Sequence, residues 1–268
     1  MPWNASWCMT RDPPAQPHEA GQPGPEDDRP TIVFLHGTRL TGASWAVQVE
    51  DLSDEFHCLA PDLPGHGLVA TQSFTLAGAA ERIADLIAAE AHGGRAILVG
   101  LSLGGYVATA VAAGWPERVA GLAVSGITAE PVGVRSVFYR GLALVLERLP
   151  KRALVAANRR YFARRYPPRI ADPILAAGFS FDGGAVALRA LVGERFQSRL
   201  EAYPGRILLI NGQLDLFFRP RERSFARAAA ADRVVIRRAT HLANLDQPEL
   251  FTTAIRRFAR SVVRAAAD

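Results

Sequence analysis

The stretch "ILVGLSLGGYVA" (residues 97–108) decides the fold, because an apolar run gives way to small helix-forming residues around a single serine. Gly100, Ser102 and Gly104 fit the pattern G-x-S-x-G, in which a nucleophilic serine stands on a sharp turn from a strand to a helix. Glycines on both sides remove side chains that would collide in such a turn. The stretch therefore predicts a strand, a reactive serine and a helix in that order, and a purely structural turn is the alternative interpretation.

Apolar runs and helical patterns alternate on both sides of this stretch. Strands are predicted at residues 31–35, 56–60, 95–99, 118–126, 206–212 and 233–238, and helices near 44–53, 76–90, 103–113, 220–230 and 248–265. Continuously apolar strands that alternate with helices indicate an α/β fold, with a mostly parallel sheet and helices on both faces. Ligands of such sheets bind beyond the carboxyl ends of the strands.

The alternation is interrupted in two places. Residues 1–30 contain seven prolines among polar residues and are predicted to form a flexible leader. Residues 129–204 have helical periodicity without a good strand, and they are far too many for an ordinary connection. We expect a core of residues 31–128 and 205–268, with a helical cap at 129–204.

The composition is that of a globular protein, with 49% hydrophobic and 21% charged residues. No apolar stretch is long enough to span a bilayer and no signal peptide is recognisable, so a soluble cytoplasmic protein is expected, as a monomer or homodimer. Two cysteines provide neither a disulfide framework nor a metal site. We predict no cofactor and no metal.

The net charge of +5 comes almost entirely from arginine and is concentrated in residues 129–204, whose own balance is +7. Solvated helix faces are the simplest interpretation, and a basic rim that attracts anionic substrates is the alternative. No nucleic-acid-binding motif accompanies these arginines. A small-molecule substrate is expected, without a nucleic-acid or membrane partner.

A serine nucleophile needs a general base and an acid that orients it. His241 follows the last predicted strand and comes after Ser102, as the chain order serine, acid, histidine requires. Asp215 stands just past the strand at residues 206–212, and Glu130 is its only serious substitute. Of the other histidines, His36 is expected to brace the loop after the first strand.

Two backbone N–H groups are candidates for an oxyanion hole. One is that of Leu103, at the start of the helix after the serine. The other is that of Thr38, which follows Gly37 in the loop after the first strand.

Five motifs, taken together and in this order, resemble the α/β-hydrolase superfamily of capped, esterase-like serine hydrolases. They are "VFLHGTRLTGASW", "LAPDLPGHG", "LVGLSLGG", "LLINGQLD" and "THLANLDQP". The resemblance implies a Ser102-His241-Asp215 triad, an oxyanion hole from the Thr38 and Leu103 amides, and a helical cap inserted after the sixth strand. Many relatives have two antiparallel strands ahead of residue 31, for which the proline-rich leader offers little beyond "WNASWCM".

The resemblance implies acyl transfer to water, with a carboxylic ester of a small hydrophobic substrate as the first choice. A thioesterase, a carbon–carbon bond hydrolase and a lyase like that of the menaquinone pathway are alternatives with the same triad. Relatives of that lyase usually carry an arginine soon after the serine motif, where this chain has Tyr106. A ligand-binding receptor of the same fold is the non-enzymatic alternative.

Overall fold

The computed structural model describes residues 28–267, and six parallel strands form a single sheet in this range. The strands are β1 (Thr31–Leu35), β2 (His57–Leu59), β3 (Ala96–Leu101), β4 (Val119–Ser125), β5 (Arg206–Gly212) and β6 (Asp232–Ile236). Their order across the sheet is β2-β1-β3-β4-β5-β6. The prediction of an α/β fold with a mostly parallel sheet is confirmed.

Eleven α-helices accompany these strands in the described range. They are α1 (Ala46–Leu52), α2 (Leu76–Glu90), α3 (Leu103–Gly114), α4 (Ser136–Arg148), α5 (Lys151–Arg165), α6 (Pro168–Ala177), α7 (Phe181–Ala190), α8 (Phe196–Ala202), α9 (Glu222–Ala228), α10 (Ala243–Asp246) and α11 (Pro248–Ala267). None of them is both long and apolar enough to cross a membrane.

Helices cover both faces of the sheet, which explains why its central strands are continuously apolar. Val33 and Leu35 of β1 face one core together with the buried sides of α2 and α3. Ile32 and Phe34 alternate with them and face a second core with α1 and α11. Side chains of a strand point to opposite faces in turn, so a strand buried on both sides needs an apolar residue at every position.

Helices α4 to α8 lie between β4 and β5 and are called the inserted helices below. They pack on one another, as α4 does on α7, and on the core, as α8 does on α3. Within residues 28–267 the insertion follows the fourth strand, not the sixth. The sixth position requires two further strands ahead of Thr31, and the leader in which they were considered lies at residues 1–27, outside the described residues.

Element boundaries differ from the predicted ones by a few residues. The strand expected at 56–60 pairs only over His57–Leu59, and the helix expected at 44–53 begins as a 3₁₀ turn, Gly42–Trp45. Strand β3 runs on to Leu101 and therefore ends directly at the serine. That junction positions the site.

Candidate active site

Ser102 occupies a strained turn between β3 and α3. Its φ is 54° and its ψ is −115°, a conformation that residues with a side chain rarely adopt. A Cβ on Gly100 would overlap the Gly104 carbonyl, and one on Gly104 would overlap the Leu35 carbonyl oxygen. The two glycines of the motif are thus required by close backbone approaches, as predicted, and they let the turn bring Ser102 to the carboxyl edge of the sheet.

The loop after β1 runs beside this turn. A Cβ built on Gly37 would lie 3.7 Å from the Ser102 Cβ, so the backbone that precedes Thr38 passes close to the serine. No described backbone acceptor takes the N–H of Thr38 or of Leu103. Neither amide therefore has a competing backbone acceptor in the described range, and the oxyanion hole that they would form stays a prediction.

His36 fixes the loop from behind. Its ring is fully buried, its Nε2 accepts the Leu63 N–H at 2.9 Å and its Nδ1 lies 3.0 Å from the Gly37 carbonyl oxygen. Because Nε2 accepts, the proton is on Nδ1, and the ring is neutral. Burial, with the neighbouring His66, lowers the pKa of His36 to about 3. These contacts are those of a bracing residue, as predicted, and leave no nitrogen for catalysis.

His241 and Asp215 are in direct contact. His241 Nδ1 lies 2.8 Å from Asp215 Oδ2, and the carboxylate is buried just past the end of β5. Phe218 stacks on the imidazole, with ring centroids 4.7 Å apart and planes inclined by 19°. A carboxylate on Nδ1 leaves Nε2 as the nitrogen that can accept a proton.

Ser102 and His241 are each in contact with the end of β4 or the residue after it. The Ser102 N–H donates to the Ser125 carbonyl at 2.7 Å, and a Cβ on the next residue, Gly126, would lie 2.5 Å from the His241 Cε1. Only a glycine leaves room for the imidazole there. Among the described residues the Ser102 hydroxyl has no hydrogen bond to His241, so the complete triad stays a prediction.

Glu130 is engaged elsewhere. Its Oε1 accepts the Gln197 N–H at 2.9 Å, at the start of α8. This carboxylate therefore ties the beginning of the inserted segment to its end and does not contact the imidazole. Asp215 is the better candidate of the two acids.

A buried polar network behind the site was missed in the sequence. Asn211 Oδ1 accepts the Gly126 N–H at 2.9 Å, and Asn211 Nδ2 donates to Glu222 at 3.1 Å. Glu222 is buried and pairs with Arg233 at 2.5 Å. The network therefore fixes Gly126, which is packed against the His241 ring. An asparagine in the apolar strand "RILLING" was the available signal.

The loop that carries His241 is fixed by a second carboxylate. Asp246 Oδ2 accepts the Thr240 N–H at 2.7 Å, and Asp246 Oδ1 accepts from the Tyr166 hydroxyl at 3.0 Å. The side chain of Asp246 is fully buried and also pairs with Arg165. One residue thus links the imidazole loop to the inserted helices.

Two concavities of the described chain, of about 270 and 680 Å³, lie elsewhere. The first is formed by the α6 and α10 regions and the second by the outer side of α5. Neither cavity is lined by Ser102, Asp215 or His241. The contacts among side chains, and not the size of a cavity, therefore indicate where the candidate active site lies.

The chain is similar in sequence to known proteins. The sequence profile of the alpha/beta hydrolase family matches residues 32–254. An AB hydrolase superfamily protein of Gibberella zeae is 38% identical over 41% of this chain and 38% of its own length. The pimeloyl-(acyl-carrier protein) methyl ester esterase of Vibrio campbellii is 41% identical over 35% of each chain. The aligned part therefore spans little more than a third of these curated relatives.

Solved structures match over a greater length. A thermophilic esterase from Thermogutta terrifontis, in a malate-bound structure, superposes with a TM-score of 0.72 at 30% identity. The superposition covers 89% of this chain and 91% of that one. The profile covers more than half of the chain and agrees with the parallel sheet and the serine turn. This protein is a member of the alpha/beta hydrolase family.

Proposed function

We propose that this protein is a serine hydrolase that cleaves a carboxylic ester through an acyl-enzyme. The observation that carries the proposal is the His241–Asp215 hydrogen bond of 2.8 Å beside a serine in the strained strand-to-helix turn. Relatives named as esterases support a hydrolase that acts on ester bonds. The substrate is a small molecule, and a cytoplasmic location stays a prediction.

In the proposed mechanism, His241 Nε2 takes the proton of the Ser102 hydroxyl as its oxygen attacks the ester carbonyl carbon. The carbonyl oxygen becomes an oxyanion, which the N–H groups of Thr38 and Leu103 stabilise. His241 then donates the proton to the departing alkoxide, which leaves as the alcohol. Water, deprotonated by the same imidazole, attacks the acyl-enzyme, and the acid is released as Ser102 regains its proton.

Asp215 serves this cycle through His241. Its carboxylate holds the proton on Nδ1 and stabilises the imidazolium that forms after each proton transfer. Phe218 limits the rotation of the ring by stacking on it. Neither residue needs to contact the substrate, so both act as positioning residues.

A series of p-nitrophenyl esters of increasing acyl length, assayed with the wild type and with Ser102→Ala, tests the proposal. We expect turnover by the wild type and a loss of at least about a hundredfold in kcat for the variant. A fluorophosphonate should label the wild type on Ser102 only. Equal turnover by both proteins, or labelling that survives Ser102→Ala, would reject nucleophilic catalysis by this serine.

A further inference from the structure

Arg39 lies where the inserted helices rest on the candidate oxyanion loop. It directly follows Thr38, and its carbonyl accepts the Ser180 N–H at 2.9 Å, just before α7 begins. A Cβ on Gly184 would lie 3.3 Å from the Arg39 nitrogen, so α7 packs closely over this backbone. The backbone of Arg39 therefore joins the candidate oxyanion loop to the start of α7.

The Arg39 side chain is a partly buried cation without a carboxylate. Its Nε donates to Asn158 Oδ1 of α5 at 3.0 Å, and Tyr161 and Tyr166 are near enough to interact with its charge. Within residues 28–267 no ion pair is formed by Arg39. Several other arginines in or against the inserted helices do have acidic partners; they include Arg165, Arg169, Arg189 and Arg199.

Asp246 does not supply the missing charge. Its carboxylate already accepts hydrogen bonds from Thr240, Tyr166 and Arg165. Of these three residues, only Tyr166 also interacts with the charge of Arg39. Burial lowers the pKa of Arg39, yet a guanidinium stays protonated in proteins. The site therefore keeps a positive charge whose two terminal nitrogens have no acceptor among the described residues.

Removing a cation from water is costly unless it is paired, and the planar guanidinium matches a carboxylate in two parallel hydrogen bonds. We propose that Arg39 binds a carboxylate of the substrate, so that the preferred ester is a half-ester of a dicarboxylic acid. Asn158 positions the guanidinium through Nε and leaves the terminal nitrogens for the ligand. This inference rests on the proposed function and specifies its substrate class.

The rival explanation is that Arg39 is only a strut between the loop and α5. The variant Asn158→Asp separates the two ideas, because it adds a carboxylate beside Nε while Arg39 is retained. If Arg39 only links the loop to α5, the new ion pair would strengthen that link. If Arg39 binds the substrate, the new carboxylate would compete with the carboxylate of the substrate for the guanidinium. Arg160→Gln is the matched control, since Arg160 is exposed on the same helix and forms no ion pair among the described residues.

The measurement compares mono-p-nitrophenyl glutarate with p-nitrophenyl pentanoate, in which a methyl group takes the place of the carboxylate. The ratio of their kcat/KM values should favour the half-ester in the wild type and fall at least tenfold in both Arg39→Gln and Asn158→Asp. At about 0.15 M salt, where the influence of exposed charges is largely screened, Arg160→Gln should keep the wild-type ratio. A wild type without the preference, or a ratio that Asn158→Asp leaves unchanged, would overturn the proposal.

Failure of the proposed function can be told apart from failure of this inference. If the wild type cleaves no ester, monomethyl glutarate and methyl pentanoate are titrated into Ser102→Ala and the unfolding temperature is followed. Stabilisation by monomethyl glutarate that is absent with methyl pentanoate and is lost in Asn158→Asp supports the carboxylate site alone. No stabilisation by monomethyl glutarate overturns it. Arg39→Gln is interpreted only if its circular dichroism matches that of the wild type. If it does not, Asn158→Asp alone provides the test.

Discussion

At the scale of single residues, the two carboxylates considered as the acid of the triad have different partners. Asp215 contacts the His241 ring, whereas Glu130 accepts a backbone N–H at the start of α8. Both follow strands of the sheet, so their positions in the sequence did not separate them decisively. Their partners do, because only one carboxylate can hold the imidazole in the tautomer that leaves Nε2 free.

We therefore predict that Asp215→Asn lowers kcat by at least about a hundredfold, since an amide can hold the wrong tautomer of His241. Glu130→Gln should stay within a few-fold of the wild type, because a glutamine oxygen still accepts the Gln197 N–H. Kinetics on p-nitrophenyl butyrate, with unfolding curves for both variants, provide the measurement. A larger loss in Glu130→Gln would reassign the acid.

The buried His36 makes stability depend on pH. Its folded-state pKa is about 3, against 6.5 for the free side chain, so between these values the unfolded chain binds a proton that the folded chain does not. The stabilising contribution is complete above pH 6.5 and declines as the pH falls toward 3. At pH 5 the loss amounts to about 2 kcal/mol.

Urea unfolding at pH 7 and pH 5 measures this effect. His36→Gln should be less stable at pH 7, because its buried contacts are disturbed, yet it should lose less stability on acidification. Burial also lowers the pKa of His66, so the double variant His36→Gln, His66→Gln should have the weakest pH dependence of the series. An unchanged slope in His36→Gln would show that this ring is protonated in the folded protein.

At the scale of elements, the strand-to-helix turn owes its shape to glycines in contact with other backbones. We predict that Gly104→Ala lowers the free energy of unfolding by about 3 kcal/mol, since the new Cβ would overlap the Leu35 carbonyl oxygen of β1. Gly141 is the matched control: it lies within α4, is exposed, and has open space around it. Gly141→Ala should stabilise the protein by up to about 1 kcal/mol.

Chemical denaturation of the two variants provides the comparison, with the pattern of circular dichroism as a check on fold. Similar stabilities would mean that α3 can move away from β1 without cost. In that case the turn would not be what holds Ser102 in its strained conformation, and the geometric basis of the nucleophile would be lost.

The elements were largely predictable because their signals are local. Buried strands such as β1 are apolar at every position, and α3 starts where G-x-S-x-G requires it. The five inserted helices were predicted only as a helical segment, since α5 buries little beyond Phe162 and has no clear apolar stripe. Strand β2 was predicted from the apolar run at residues 56–60, but its pairing to β1 covers only three residues, a limit that no local pattern reveals.

The candidate site was predictable to the extent that its residues follow strands. Asp215 and His241 were found by their order after Ser102 and their positions just beyond β5 and β6. The stacking of Phe218 on His241 and the support of Gly126 by Asn211 depend on tertiary distances. Sequence alone therefore identified groups that can react, but not the groups that orient them.

At the scale of the whole molecule, charge is distributed unevenly between the core and the insertion. Residues 129–204 carry a net charge of +7, but part of it is compensated by ion pairs such as Arg189–Glu147 at 2.5 Å. The exposed arginines of α5 without ion pairs in the described range are Arg152, Arg159, Arg160 and Arg164, and of these Arg159 donates to the Leu175 carbonyl oxygen at 2.9 Å. Only such uncompensated charges can act at a distance on an approaching anion.

Ionic strength separates this distant attraction from the contact proposed for Arg39. The screening length falls from about 30 Å at 0.01 M salt to about 10 Å at 0.1 M, so exposed arginines lose their influence while a partly buried contact keeps most of its strength. If the basic face attracts anions, kcat/KM for mono-p-nitrophenyl glutarate should fall several-fold over this range, and the triple variant Arg152→Gln, Arg160→Gln, Arg164→Gln should respond less. Rates with p-nitrophenyl pentanoate should change little in either protein. A half-ester rate that is independent of salt would mean that these arginines serve as solvated helix faces, and any remaining preference for the half-ester would then have to originate within the site.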